Sequence, residues 1–299
     1  QKHQKAEKTK RRKQQRAKNN KEPEKMIRIE DLSYNFPDGT PGLKKINLEI
    51  EKGEFLGIVG RNGSGKSTLV RHLNGLLKPM EGKVSVKGMD TADPSKLLEI
   101  RQAVGMVFQN PYTQFVGTTL EEDVAFGPEN LALPPEEIRE RVDRALEMVG
   151  LENFKNHSPK TLSGGQSQSA AIASALAMKS ECIVLDEISS MLDSRSREQV
   201  REIIRKLRGK SRTIVYVTHR LEEVLYADRI LVMDRGEIVR EGSPKTVFKA
   251  QDLGKFGLEM PPVVELLNSL EARGLAFDWS RLASIENLAE EIWESRWKI

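Results

Sequence analysis

Apolar residues in this chain recur in two rhythms. FLGIVG (55–60), CIVLDE (182–187), TIVYVTH (213–219) and RILVMD (229–234) are short apolar runs, as expected for strands buried on both faces of a parallel sheet. Between them the apolar spacing is helical. Leu69, Leu73, Leu76 and Leu77 share one side of a predicted helix after the first run. Ile138, Val142, Leu146 and Val149 mark a helix opened by Pro134–Pro135, with acidic Glu136 and Glu137 in its first turn. Val200, Ile203, Ile204 and Leu207 mark another between the second and third runs. With the strand-like IRIEDL after Met26, the alternation predicts an α/β core built on a largely parallel sheet. After about Val247 the texture changes. Val263, Leu266, Leu267 and Leu270 form one helical stripe, and a last helix capped by Ser284 carries Ile285, Leu288 and Ile292. These read as a small helical appendage.

Composition modifies this picture at the N-terminus. The formal net charge is +4, but residues 1–25 hold 11 Lys or Arg against 3 Asp or Glu, leaving the remainder acidic by four charges. The high isoelectric point therefore belongs to the tail. That tail has no Phe, Tyr, Trp, Val, Leu, Ile or Met, so it cannot bury enough surface to offset its ordering entropy, and disorder is expected. The lone Cys182 excludes an internal disulfide. No apolar run approaches the roughly 18 residues of a membrane span, and the N-terminus lacks the apolar core of a secretory signal. The expectation is a cytoplasmic protein that meets a membrane through a partner or through surface charge.

The strongest chemical signal is GRNGSGKST (60–68), which fits G-x-x-x-x-G-K-[ST]. A chance match in this length is about one in a hundred from residue frequencies, and the preceding strand and following helix improve those odds. Gly60, Arg61, Asn62, Gly63, Ser64, Gly65 and Thr68 would wrap backbone N–H groups around phosphate oxygens at a helix N-terminus. Lys66 would bridge the β- and γ-phosphates, and Ser67 would ligate Mg²⁺. CIVLDE then delivers two carboxylates to the crevice where open α/β sheets bind ligands. Asp186 would hold Mg²⁺, directly or through water, and Glu187 would orient and deprotonate the attacking water. Alone this second motif is weak, because apolar strands ending in Asp-Glu are common.

LSGGQ (162–166) narrows the reading. Ser163 followed by Gly164 and Gly165 at a helix start makes a second anion-binding position. With these motifs the chain resembles the ABC ATPase family, whose signature is this pentapeptide. The resemblance covers roughly residues 27–245. It implies an ABC-type P-loop nucleotide-binding domain over 26–247, a helical subdomain at about 110–180, and a C-terminal helical dimerisation extension at 248–299. It also implies ATP and Mg²⁺ as ligands, and a head-to-tail dimer in which Ser163, Gly164, Gly165 and Gln166 reach the γ-phosphate held by the opposing subunit. Gln109 in GMVFQNP matches the Q-loop glutamine, which joins the Mg²⁺ site to the transporter partner. His219 matches the switch histidine at the γ-phosphate, Phe36 in LSYNFPDG the aromatic that stacks on adenine, and Asp193 in SSMLD the D-loop aspartate near the dimer seam.

EEDVAFGPENLALP (121–134) and FGLEMPPVVELLNSLEARG (256–274) resemble the A-components of energy-coupling-factor (ECF) importers, including the cobalt-type systems. That branch implies a membrane T-component docked beside the Q-loop, an S-component that selects a vitamin or transition-metal ion, and a peripheral position on the cytoplasmic face of the cell membrane. The departures from the family cluster together. Ser167, Gln168 and Ser169 follow LSGGQ where a basic residue, Gln and Arg are usual, Ser180 replaces a proline, and Ile188, Ser189 and Ser194 depart near the catalytic glutamate. None removes a phosphate ligand or the base. Loss of an arginine at 169 removes a charge-assisted group worth about 1.5–3 kcal/mol, so slower ATPase coupling is expected. Two alternatives stand beside the importer: a soluble ABC ATPase acting on nucleic acid or ribosomes, and a hydrolysis-impaired subunit. The acidic body argues against a nucleic-acid surface, and no specific nucleic acid is expected.

Overall fold

The computed structural model describes residues 24–208, 212–250, 252–274 and 293. The basic tail up to residue 23 and the last predicted helix, around Ser284, lie outside the described residues, apart from Trp293.

Two sheets carry the fold. The first is antiparallel, in the order β2 (Pro41–Glu51), β1 (Lys25–Asn35), β4 (Glu81–Val86), β5 (Met89–Asp90). The apolar pattern alone did not separate this sheet from the core, because its strands alternate with polar residues on one face. The second sheet runs β10 (Glu237–Gly242), β9 (Arg229–Asp234), β3 (Phe55–Val59), β8 (Thr213–Thr218), β7 (Cys182–Asp186), β6 (Val104–Val107). Its pairings are parallel except β10 on β9.

The apolar runs of the parallel strands divide by pleat between two cores, because successive side chains point to opposite faces. Leu56, Ile58, Val184, Val215 and Val217 pack towards the antiparallel sheet with Leu69 and Val70 of α1 (Lys66–His72) and Ile100 of α2 (Leu97–Ala103). Phe55, Val59, Ile183, Leu185, Ile214 and Tyr216 belong to the other core. There they join α3 (Leu120–Asn130), α4 (Pro135–Val149), α5 (Gly164–Ala177) and α6 (Ser194–Arg208). Val142, Leu146 and Val149, and all four apolar residues predicted on α6, are buried as expected, while Ile138 is partly buried.

Two helical stripes differ from expectation. α1 is shorter than the Leu69–Leu77 pattern suggests, because the chain turns at Gly75, which adopts φ +69°, leaving Leu76 exposed. In α8 (Pro262–Ala272) the inward residues are Val264 and Leu267, while Leu266 is exposed. With α7 (Pro244–Phe248), this segment packs Val247, Phe248, Leu253, Leu258, Val264 and Leu267 into the same core as Phe55, Ile183 and Tyr216 of the parallel strands.

Candidate nucleotide site

Strand register explains why distant motifs converge. β3, β8 and β7 are neighbours, with Val59 opposite Thr218 and Asp186 opposite Val217. The segments that follow these three strands therefore leave the sheet at one level: the 60–68 loop, His219, and Glu187. This is the carboxyl edge where open α/β sheets hold their ligands.

Gly65 begins α1 with φ +102°, a left-handed conformation costly for residues with a side chain, and a β-carbon there would lie 2.9 Å from the Gly42 carbonyl. At Gly60 a β-carbon would come within 2.3 Å of the Met233 carbonyl. At these two glycines the loop is thus held against other segments with no room for a side chain. Its residues 62–68, together with Gln109 and Glu187, line a cavity of about 270 Å³.

Lys66 is only 3% exposed, and its ammonium donates to the Gly60 carbonyl at 2.8 Å and the Arg61 carbonyl at 3.1 Å. It also lies 3.2 Å from Glu187 Oε1. His219 Nδ1 is 4.0 Å from the other oxygen of the same carboxylate. Ser67 Oγ donates to Asp186 Oδ1 at 2.8 Å. Burial raises the Asp186 carboxyl above the ordinary aspartate range, and the Ser67 hydrogen bond and the Arg71 charge partly offset this. Gln109 Nε2 donates to Ser190 Oγ at 3.1 Å.

One hydroxyl and one carboxylate, both hard oxygen donors, suit Mg²⁺, which usually takes few protein ligands and completes its shell with water and phosphate oxygens. No cluster of three or more His, Cys, Asp or Glu fit to hold a metal occurs among the described residues.

Phe36 sits in the β1–β2 turn, closed by Phe36 N–H to the Thr40 carbonyl at 2.8 Å. Its ring is partly exposed and meets Tyr34 edge-on at 5.4 Å, and Tyr34 meets His72 at 5.0 Å. His72 is fully buried on α1, its Nδ1 2.8 Å from the Thr68 carbonyl, and burial lowers its pKa. A row of three rings therefore links Phe36 to the phosphate-loop helix.

The LSGGQ residues do not line this cavity. Ser163 and Gln166 form a capping box at the start of α5: Gln166 N–H donates to Ser163 Oγ at 3.3 Å, and Ser163 N–H to Gln166 Oε1 at 2.9 Å. Ser163 and Gly164 are exposed, whereas Gly165 is buried, a β-carbon on it falling 2.5 Å from Ser196 Oγ. Ser196 Oγ in turn donates to Asp193 Oδ2 at 2.8 Å, and Asp193 Oδ1 accepts the N–H groups of Arg195 and Ser196. Those bonds, led by the Ser196 N–H, hold the Asp193 carboxyl below its usual range. Signature and D-loop pack together, and neither lines the cavity at the phosphate loop of their own chain.

Several contributors carry no motif. Asp123 is buried on α3, where it accepts the N–H groups of Val116 and Gly117 at 2.7 and 3.0 Å and the Ser174 hydroxyl of α5 at 3.3 Å. Glu223 is buried behind His219 and accepts the hydroxyls of Thr218 at 2.6 Å and Tyr216 at 3.1 Å. Arg61 pairs with Asp234 at 2.8 Å. No spacing rule in the sequence marks these partners, because each contact joins separate elements or lies inside a loop.

Residues 43–190 match the ABC transporter family. The chain is 57% identical to the energy-coupling factor transporter ATP-binding protein EcfA of Methanosarcina acetivorans over 267 residues, covering 89% of this chain and 97% of that one. It is 50% identical to EcfA1 of Caldanaerobacter subterraneus over 273 residues, covering 89% and 98%. Among solved structures, cbiO1 of Clostridium perfringens, described as part of the ABC transporter complex cbiONQ, superposes with a TM-score of 0.71 at 35% identity, covering 82% of this chain and 99% of that one. The cassette MJ0796, solved as a dimer bound to ADP and Pi after hydrolysis, superposes with a TM-score of 0.66 at 35% identity, covering 73% and 99%. With sequence likeness running through nearly the whole length of its relatives, the chain belongs to the ABC ATPases and is an ATP-binding subunit of the energy-coupling-factor transporter type.

Proposed function

We propose that this ATPase energises an importer of vitamins or transition-metal ions, working as a head-to-tail dimer on a membrane T-component, with an S-component selecting the cargo. One observation carries the catalytic part: Lys66, Ser67 and Glu187 line a single cavity with the rest of the phosphate loop, and Ser67 is hydrogen-bonded to Asp186.

In this reading, backbone N–H groups of 60–68 hold the phosphates, Lys66 exchanges its carbonyl partners for β- and γ-phosphate oxygens, and Phe36 stacks on adenine. Ser67, Asp186 and Gln109 would hold Mg²⁺, which when bound neutralises charge on the β- and γ-phosphates. Glu187 accepts a proton from the attacking water while that oxygen bonds to the γ-phosphorus, and the bond to the β-phosphate oxygen breaks to leave ADP. His219, beside Glu187, steadies the γ-phosphate. Ser163 and the glycines after it complete the pocket of the opposing subunit, which is either a paralogous A-component or a second copy.

The named relatives support the membrane role. In that role the chain works at the cytoplasmic face of the membrane, and the segment after residue 247 helps to hold the dimer. The buried Ser167 and Gln168, whose Oγ and Nε2 have no hydrogen-bond partner among the described residues, favour a second reading in which hydrolysis is impaired. Glu187→Gln decides between them. The wild type should hydrolyse ATP, and the variant should bind ATP while hydrolysing it at least ~10²-fold more slowly. Equal and negligible rates would establish the second reading. Co-purification with a polytopic membrane protein tests the importer assignment.

A further inference from the structure

Glu187 follows β7 with φ +51°, a left-handed conformation uncommon for a residue bearing a side chain. Such a backbone persists only where its surroundings hold it, and here the holding bonds are visible. Glu187 N–H donates to the Val217 carbonyl at 3.0 Å, tying the residue to β8. On the other side, the Glu187 carbonyl accepts Ser190 N–H at 3.1 Å and Ser190 Oγ–H at 2.8 Å. Ser190 Oγ then accepts the Gln109 amide at 3.1 Å.

This chain of bonds has a fixed direction. A serine hydroxyl has one proton, and Ser190 gives it to the Glu187 carbonyl, which can only accept. Towards Gln109 the same oxygen must therefore accept. That requires Gln109 to present its NH₂ to Ser190, which turns its carbonyl oxygen, the only end able to ligate a cation, away from Ser190.

We infer that Ser190 is a positioning residue: its hydroxyl fixes the amide orientation of Gln109 and the strained backbone of Glu187 in one hydrogen-bonded chain, so that metal-facing oxygen and catalytic carboxylate are set together. The inference rests on the roles proposed above for Gln109 and Glu187. It gives the loop after β6, where Gln109 lies, a direct structural route to the base.

The test compares Ser190→Ala with Ser190→Thr, which keeps the hydroxyl. Ser190→Ala should lower kcat for ATP hydrolysis about tenfold, the worth of one well-placed hydrogen bond, with the KM for ATP within about twofold of wild type. Ser190→Thr should recover most of the rate. In Gln109→Ala, adding Ser190→Ala should cost much less than it does alone, because the chain is already broken. Without nucleotide or metal, hydrogen exchange of the 187–192 amides should quicken in Ser190→Ala and not in Ser190→Thr. An unchanged kcat in Ser190→Ala, a loss in Ser190→Thr as deep as in Ser190→Ala, or fully additive losses with Gln109→Ala would each overturn the inference. If Glu187→Gln itself hydrolyses normally, the fault lies with the assigned base and not with Ser190.

Discussion

The phosphate loop and the signature segment are both glycine-rich turns that open helices, yet the structure treats them differently. The first is surrounded by residues from across the chain: Glu187 and Asp186 from the end of β7, His219 from the end of β8, and Gln109 from the loop after β6. Its lysine is nearly fully buried. The second satisfies its polar groups locally, through the Ser163–Gln166 capping box, and leaves Ser163 and Gly164 facing solvent. A glycine-rich turn becomes a working anion site when other elements bring charge and a base to it. By that measure one chain holds one assembled half-site and one exposed half-site, the division that the proposed head-to-tail dimer would need.

The contrast breaks most sharply at Lys66. Lys66→Ala removes two charge-assisted bonds to phosphate, each worth about 1.5–3 kcal/mol, and leaves the part-buried Glu187 without its cation. ATP affinity should fall at least ~10²-fold, measurable by equilibrium binding to the purified chain. Affinity within threefold of wild type would mean that the loop amides alone hold the nucleotide.

At the other end, substitution should spare binding and strike turnover. Ser163→Ala should leave ATP binding by a single chain within about twofold and cut hydrolysis at least ~10-fold, since one donor to a developing charge is lost. It should also lower the melting temperature by about 2–4 °C through the lost helix cap. Ser163→Asp separates the two roles. Aspartate is an equally good cap, so stability should hold, but its charge opposes phosphate, so hydrolysis should fall as far or further. Normal turnover in Ser163→Asp would remove the signature from the reaction.

Much of this division was legible in the sequence, for a physical reason. GRNGSGKST, CIVLDE and LSGGQ are local: each places a turn, a strand end or a cap by its own residue types, and each lies where its pattern indicates. The register that brings β3, β8 and β7 into one edge was implied only by their burial on both faces. What stayed hidden depends on partners far apart. The sequence marked Ser167, Gln168 and Ser169 as departures after LSGGQ but not that all three are buried in α5, nor that α5 is tied to α3 through Ser174 and Asp123, a pair separated by 51 positions. No sequence pattern singled out Ser190, although its hydroxyl bridges Gln109 and Glu187.

The smallest expected effect concerns the stability cost of the assembled half-site. Burial raises the Asp186 carboxyl above its unfolded value, with the Ser67 hydroxyl only partly compensating. A carboxyl raised in this way contributes stability below its unfolded pKa and loses it as the pH climbs through the folded value. Raising the pH therefore lowers the stability of the wild type, as its buried carboxyl is driven towards the charged form. Asp186→Asn retains an acceptor for Ser67 Oγ and carries no charge. In a chelator and without nucleotide, the variant should melt above the wild type at about pH 7.5, and the gap should narrow as the pH falls towards about 5. Its Mg²⁺-dependent hydrolysis should be lost throughout. The signature offers no counterpart, because Ser163 and Gln166 do not titrate, and Ser163→Ala should change stability by the same amount at both pH values. If Asp186→Asn instead melts below the wild type at neutral pH, the carboxylate is stabilised by Arg71 and Lys66 more than burial penalises it, and the assembled half-site is then as comfortable without its ligand as the exposed one.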